Sequence, residues 1–292
     1  MKSHSAELLF NTNNNLGEGP LWHPTQSCLY WVDIEAGHLY HSDPGLNTFT
    51  KTSFNTHLGA YCFTKTGGFI LATGQGFLSW AGGESQPGLI WNPLPQRDGV
   101  RLNDGKVDPS GRFWAGSIDT EQHNAKLYRL DPDGAQHALL HKLGIANGLD
   151  WSPDQKTMYF TDSNQYTIFA FDYNPDTGAI HNQRPFIQLP KTRAEIVPDG
   201  LCVDAEGCVW SAQWNGWQIV RYSPTGDPIL TVTVPAQRVT SCCFGGERGN
   251  LLFITTARTG LPEDALINQP HAGDVFVVQT KTIGQKANLF GF

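Results

Sequence analysis

The sequence predicts an all-β fold, a six-bladed propeller, and three observations carry that expectation. A strand–turn–strand pattern returns six times, its starts separated by 41, 44, 44, 52 and 41 residues. A repeat of roughly 40–50 residues made of short strands is the mark of propeller blades. Each copy carries a large apolar residue four positions past its start, and five of the six starts bear a side-chain oxygen.

The copies justify the strands in order. The first, EGPLWHPTQSCLYWVDI from Glu18, sets Trp22 before a polar turn and a second apolar run. The second, GAYCFTKTGGFILATG from Gly59, does the same with Phe63. The third, NDGKVDPSGRFWAGS from Asn103, turns at Pro109-Ser110-Gly111 and resumes with Phe113-Trp114-Ala115. The fourth, NGLDWSPDQKTMYFTDS from Asn147, resumes with Met158-Tyr159-Phe160. The fifth, DGLCVDAEGCVWSAQW from Asp199, turns at Ala205-Glu206-Gly207, and the sixth, TSCCFGGERGNLLFITTA, starts at Thr240. The strand after the turn alternates, and apolar residues on both strands suit blades packed face to face. The segment Glu7-Leu8-Leu9-Phe10 is expected to close the ring by pairing with Asp274–Val278 of the last blade, which removes exposed sheet edges. Blades bury their faces only against neighbours, so residues 1–292 read as one domain.

Composition sets further bounds. Twenty basic and 27 acidic residues give a net charge of −7 with no Lys/Arg run, so nucleic acid is not an expected partner. No apolar stretch of the length a signal peptide or membrane span needs is present, and a cytoplasmic protein without a membrane partner is expected. Six cysteines fit buried thiols of a reducing compartment. Pairing Val203 with Cys208 across a four-residue turn would send Cys202 and Cys208 to opposite sheet faces. His38 and His41 are expected in an exposed loop. Asp150 and Asp162 are expected to brace blades by hydrogen bonding. The known nucleophile-elbow, phosphate-loop, zinc-protease and dinucleotide patterns are missing.

Equivalent positions of a propeller face the same place. The repeat starts are Glu18, Gly59, Asn103, Asn147, Asp199 and Thr240. Each is followed by a small or polar residue that lets backbone come close. Carboxylate and amide oxygens without Cys or His favour Ca²⁺, Mg²⁺ or Mn²⁺ over a thiolate zinc site. Taken singly, Asn and Asp also serve strand starts by bonding local backbone. Their shared phase makes a metal site at one mouth of the central channel the better expectation.

At these motifs the chain resembles the senescence marker protein/gluconolactonase/regucalcin family of metal-dependent six-bladed propellers. The likeness covers nearly the whole chain. It rests on Leu16-Gly17-Glu18-Gly19-Pro20-Leu21-Trp22, Arg101-Leu102-Asn103-Asp104-Gly105-Lys106-Val107-Asp108-Pro109, Asn147-Gly148-Leu149-Asp150-Trp151 and Pro198-Asp199-Gly200. The stretch from Thr240 to Gly246 is similar to regucalcin, while Gly17-Glu18-Gly19-Pro20 is similar to the general sugar-lactonase form. The resemblance implies one divalent ion, Ca²⁺ first among Ca²⁺, Zn²⁺, Mn²⁺ and Mg²⁺, held by Glu18, Asn147 and Asp199. It implies a sugar-lactone substrate contacted by Arg101, Asn103 and Glu121, in a monomer or weak dimer.

Hydrolysis of a lactone to an aldonic acid is the activity so implied. Asp199 is the candidate catalytic residue, accepting the proton of the attacking water. Activation of the water by the ion itself is the alternative. Two other classes stay open: a phosphotriester hydrolase of the same fold, and a calcium-binding regulatory protein without enzyme activity. The Arg101–Asn103 pair argues for a hydroxylated substrate. The absence of closely spaced ligands in one loop argues against a calcium sensor.

Overall fold

The computed structural model describes residues 2–95 and 98–291. Six sheets stand in a ring, and each blade is an antiparallel meander of four strands running outward from the axis. The inner strands are Gly17–Trp22, Leu58–Phe63, Arg101–Val107, Ala146–Trp151, Val197–Val203 and Arg238–Gly245. The chain is thus the all-β six-bladed propeller that its repeat predicts.

Ring closure follows the expectation and adds to it. Glu7–Phe10 is the outer strand of the sixth blade, with Glu7 opposite Val277 and Leu8 opposite Phe276. The polar segment Lys2–Ser5 also pairs, parallel to Pro228–Thr233, as a fifth strand on the fifth blade. The start of the chain therefore joins two neighbouring blades, and the backbone N–H of Ala6 donates to Thr233 O between them.

The apolar core is divided among the blade boundaries. Six buried clusters each lie between two consecutive blades, and one of them joins the sixth to the first through Phe10, Trp31 and Phe253. Trp114 and Trp210 hold equivalent places on the second strands, opposite Lys106 and Cys202, and both are fully buried. Both faces of each blade are apolar because a neighbour covers each, so strands such as Leu29–Asp33 and Leu58–Phe63 are buried throughout.

Two blades share a polar corner. Asp108 Oδ2 accepts from Trp114 Nε1 at 2.9 Å, Arg112 Nε at 2.6 Å and Tyr173 Oη at 2.8 Å. Asp204 Oδ2 accepts from Trp210 Nε1 and Arg221 Nε, both at 2.8 Å. Buried carboxylates are tolerated here because charged and neutral donors meet them. The turns beside them need Gly111 and Gly207, both at φ +82°.

One register expectation fails. Val203 lies opposite Val209 and Cys202 opposite Trp210, because Asp204 N–H closes the turn onto Cys208 O. Cys202 instead meets Cys242 of the next blade, with sulfurs 3.6 Å apart. His38 and His41 lie on the strand His38–Ser42 rather than in a loop, beside Tyr40 and Thr50. Asp162 braces its blade as expected, accepting from the backbone of Gly144, Ile145 and Asn164. Asp150 joins three blades by accepting from Lys106 and Val203 N–H.

The last residues form a strap. Ile283 O accepts from Ala205, Gln285 Nε2 donates to Trp151 O, and Asn288 Nδ2 donates to Val107 O. Phe290 then exchanges backbone hydrogen bonds with Phe63 and Lys65. The segment so crosses the channel end that carries the turns of blades five to two. Among the described residues, no helix is long and apolar enough to cross a membrane.

Candidate functional site

All six inner strands carry the same irregularity near the other mouth. Glu18 lies opposite Val32 but Leu21 lies opposite Tyr30, so one extra residue is held in the inner strand. The same extra residue occurs between Leu58 and Ala60, Leu102 and Gly105, Ala146 and Leu149, Pro198 and Leu201, and Val239 and Ser241. A bulge bends its strand and re-aims the side chains beside it. In five strands it includes the repeat start and in the first it follows Glu18, so the bend falls at the repeat starts of all six blades.

Four of the six starts converge at this mouth: Glu18, Asn103, Asn147 and Asp199, all buried. The other two are used differently. A side-chain carbon at Gly59 would sit 2.3 Å from Leu102 O, so glycine lets the second blade press onto the third. Thr240 donates its hydroxyl to Gly17 O, tying the sixth blade to the first.

Hydrogen bonds link the third, fourth and fifth blades. Arg101 Nη1 donates to Asn103 Oδ1 at 2.5 Å. Asn103 Nδ2 donates to Ala146 O at 2.9 Å and to Asn147 Oδ1 at 3.0 Å. Asn147 Nδ2 donates to Ser163 Oγ at 2.9 Å, and Ser163 Oγ donates to Pro198 O at 2.7 Å. Glu18 accepts from Gly19 N–H at 3.0 Å.

The acids are electrostatically strained. Burial pushes the Glu18 carboxyl well above the usual range, and Asp199 and Asp104 push it the same way. Burial and the neighbouring Asp104 likewise raise Asp199. Asp104 is pushed up to about 6 by burial, with Lys106 pulling back. Arg101, half-buried, is brought down to about 10 by burial against the pull of Glu18, and stays charged at neutral pH. Asp199 Oδ1 is buried without a hydrogen-bond partner.

This donor set fits a divalent cation. Two buried carboxylates near enough to repel, Glu18 and Asp199, share the mouth with the Asn147 carboxamide, and such an uncompensated pair is costly unless a cation joins it. Among the described residues no three His, Cys, Asp or Glu side chains make such a group alone. The third donor here is the amide of Asn147. Below the cluster, a void of about 20 Å³ lined by Tyr61, Asp104, Lys106 and Ser241 has room for one water. A cavity of about 100 Å³ lies further down, under the strap, lined by Trp22, Trp151, Cys202 and Gln285. That cavity is the roomier of the two, but the perturbed acids and the unpartnered carboxylate oxygen are at the other end. Perturbed titratable groups mark that mouth as the candidate site.

Of the residues singled out in the sequence, Glu18, Arg101, Asn103, Asn147 and Asp199 come together. Glu121 does not join them. It is exposed on the turn after Ile118, which pairs with Arg101, so it stands at the rim of the same mouth. Sequence reasoning missed Ser163 and the charge of Asp104. The bulge was the absent signal for Asp104, since regular alternation would turn it away from the face that Asn103 occupies.

The comparisons agree with this fold. Residues 16–258 match the model of the SMP-30/Gluconolactonase/LRE-like region. Regucalcin of Macaca fascicularis is 36% identical over 289 residues, covering 95% of each chain. The solved structure of the calcium-binding protein regucalcin from Agrobacterium tumefaciens superposes with a TM-score of 0.94 at 25% identity, covering 100% of this chain and 99% of that one. A luciferin-regenerating enzyme follows with a TM-score of 0.87 at 29% identity and 96% coverage of both chains. With the family model matched over most of its length and a relative above one-third identity, the chain belongs to the SMP-30/gluconolactonase/LRE-like family.

Proposed function

We propose that this protein hydrolyses sugar lactones of the gluconolactone type to aldonic acids, with a divalent cation, Ca²⁺ first, held by Glu18, Asn147 and Asp199. The observation that carries the reading is Asp199 Oδ1, buried and unpartnered beside a second raised carboxyl, Glu18, at the channel mouth. Membership of a family whose description includes gluconolactonase supports the substrate class.

When bound, the cation supplies Lewis-acid polarisation of the lactone carbonyl. Asp199 accepts the proton of the water whose oxygen attacks the carbonyl carbon. As the ring C–O bond breaks, Asp199 returns that proton to the leaving oxygen and is a carboxylate again. Asn103 has both amide hydrogens committed, so it meets the sugar through the free lone pair of Oδ1. Arg101 keeps N–H groups free of Asn103 and directs them to substrate hydroxyls. Both contribute position rather than proton transfer. Glu121 contacts the far end of the polyol from the rim.

A panel of aldonolactones assayed against a panel of divalent ions tests the reading. Activity lost on chelation and restored by one ion supports it. Cation binding without turnover of any lactone would leave the protein a calcium-binding protein, the reading that the regucalcin likeness favours.

A further inference from the structure

The hydrogen bonds across the mouth run in one direction, and groups at both ends fix it. Pro198 O can only accept, so the one proton of the Ser163 hydroxyl, 2.7 Å away, is committed to it. Ser163 Oγ then offers lone pairs alone. The Asn147 atom 2.9 Å from it must be the amide nitrogen, and the amide oxygen must be the end that meets Asn103. Asn103 agrees from the other side, since its Nδ2 meets Asn147 Oδ1 while Ala146 O and Arg101 fix its own orientation. Asparagine is nearly symmetric in shape, so packing alone would not separate its two ends. A carboxamide turned the wrong way would present two N–H groups to a cation.

Ser163 is well placed for this. It is buried at the head of the short turn Ser163–Gln165, whose start is anchored by Asp162 accepting from Asn164 N–H. It reaches from the fourth blade to Pro198, the residue before Asp199. One hydroxyl therefore orients one oxygen donor and ties the backbone that carries another.

We propose that Ser163 is a positioning residue that fixes the orientation of the Asn147 carboxamide, and so turns its oxygen to the cation site. The inference rests on the cation reading above and adds a residue to it. Supporting side chains of this kind typically change cation affinity by about 10–100-fold.

The test is a calorimetric titration of the intact protein with Ca²⁺, in four forms: wild type, Ser163→Ala, Asn147→Asp and the double variant. A carboxylate has two equivalent oxygens and no wrong orientation. Ser163→Ala should therefore weaken Ca²⁺ binding by about tenfold or more with Asn147 present, and by less than about threefold with Asp there. Ser163→Cys, close in shape but a poor acceptor, carries the same expectation if alanine destabilises the metal-free fold. Wild-type affinity in these serine variants, or an equal loss in both backgrounds, overturns the positioning role and leaves the cation reading standing. Wild type that binds no Ca²⁺ while Glu18→Gln behaves identically overturns both.

Discussion

Asn103 Nδ2 lies 3.0 Å from Asn147 Oδ1, a hydrogen bond between side chains at the same phase of adjacent repeats. The residue assigned to substrate and the residue assigned to the cation thus share a single network. Disturbing one should register at the other.

Asn103→Ala is accordingly expected to do more than raise KM, which was all its place in the sequence suggested. Removing its amide leaves Asn147 Oδ1 without its donor and frees Ala146 O in a buried place. Cation affinity should fall by about tenfold along with substrate affinity. Titration with Ca²⁺ in the absence of lactone isolates the first effect. Unchanged affinity there would confine Asn103 to the substrate.

Glu18→Gln and Asn147→Ala should each weaken cation binding and shrink the thermal stabilisation that added cation brings to wild type. A ligand that binds only the folded state adds RT ln(1 + [L]/Kd), so the shift tracks occupancy. Full occupancy in Glu18→Gln would remove that residue from the site.

Asp199→Asn separates ligation from proton transfer. An amide oxygen can still face the cation but cannot take up a proton, so kcat should drop by about 10²-fold or more at retained cation loading. Spontaneous lactone opening must be subtracted near neutral pH. A cation-loaded variant with near wild-type kcat would rule out Asp199 as the base.

The raised acids give a pH signature in the cation-free protein. A carboxyl whose folded pKa lies above its unfolded value binds its proton more tightly when folded. Stability is then unaffected below the unfolded pKa and is lost as pH rises through the folded pKa. For Asp104 that window runs from the ordinary carboxylate range to about 6, and for Glu18 and Asp199 it extends upward. As pH rises above the ordinary carboxylate range, cation-free wild type should lose stability relative to Asp199→Asn. Saturating Ca²⁺ should reverse the difference. Parallel pH profiles of the two proteins would contradict the assignment.

Away from the mouth, Asp108→Ala should destabilise the fold by about 3–5 kcal/mol, the usual result of leaving a buried charged partner alone. Arg112, Trp114 and Tyr173 all lose their acceptor. Urea denaturation would measure the loss, and a change below about 1 kcal/mol would mean that solvent replaces the carboxylate.

Much of this was legible because blades repeat. The period placed Glu18, Asn103, Asn147 and Asp199 in one phase, and the closing strand Glu7–Phe10 followed from the need to cover edges. What escaped notice depended on contacts between repeats. Thr240 shares the phase, but Gly17 O of the neighbouring blade captures its hydroxyl. Lys2–Ser5 pairs with Pro228–Thr233 in parallel register, and its run of polar residue types carries no strand signal in the sequence. Ser163 sits outside the repeat phase, and its role depends on a carbonyl 35 residues away. The slip at Cys202 came from counting a turn without knowing which backbone groups close it.

The strap from Ile283 to Phe290 fastens four blades to one ribbon of chain. It bonds in turn to Ala205, Trp151, Val107 and the Phe63–Lys65 turn, so blades five, four, three and two are held together at the end of the axis away from Glu18 and Asp199. Splaying any one of these blades at that end breaks its bond to the ribbon, which acts there as a hoop on the rim.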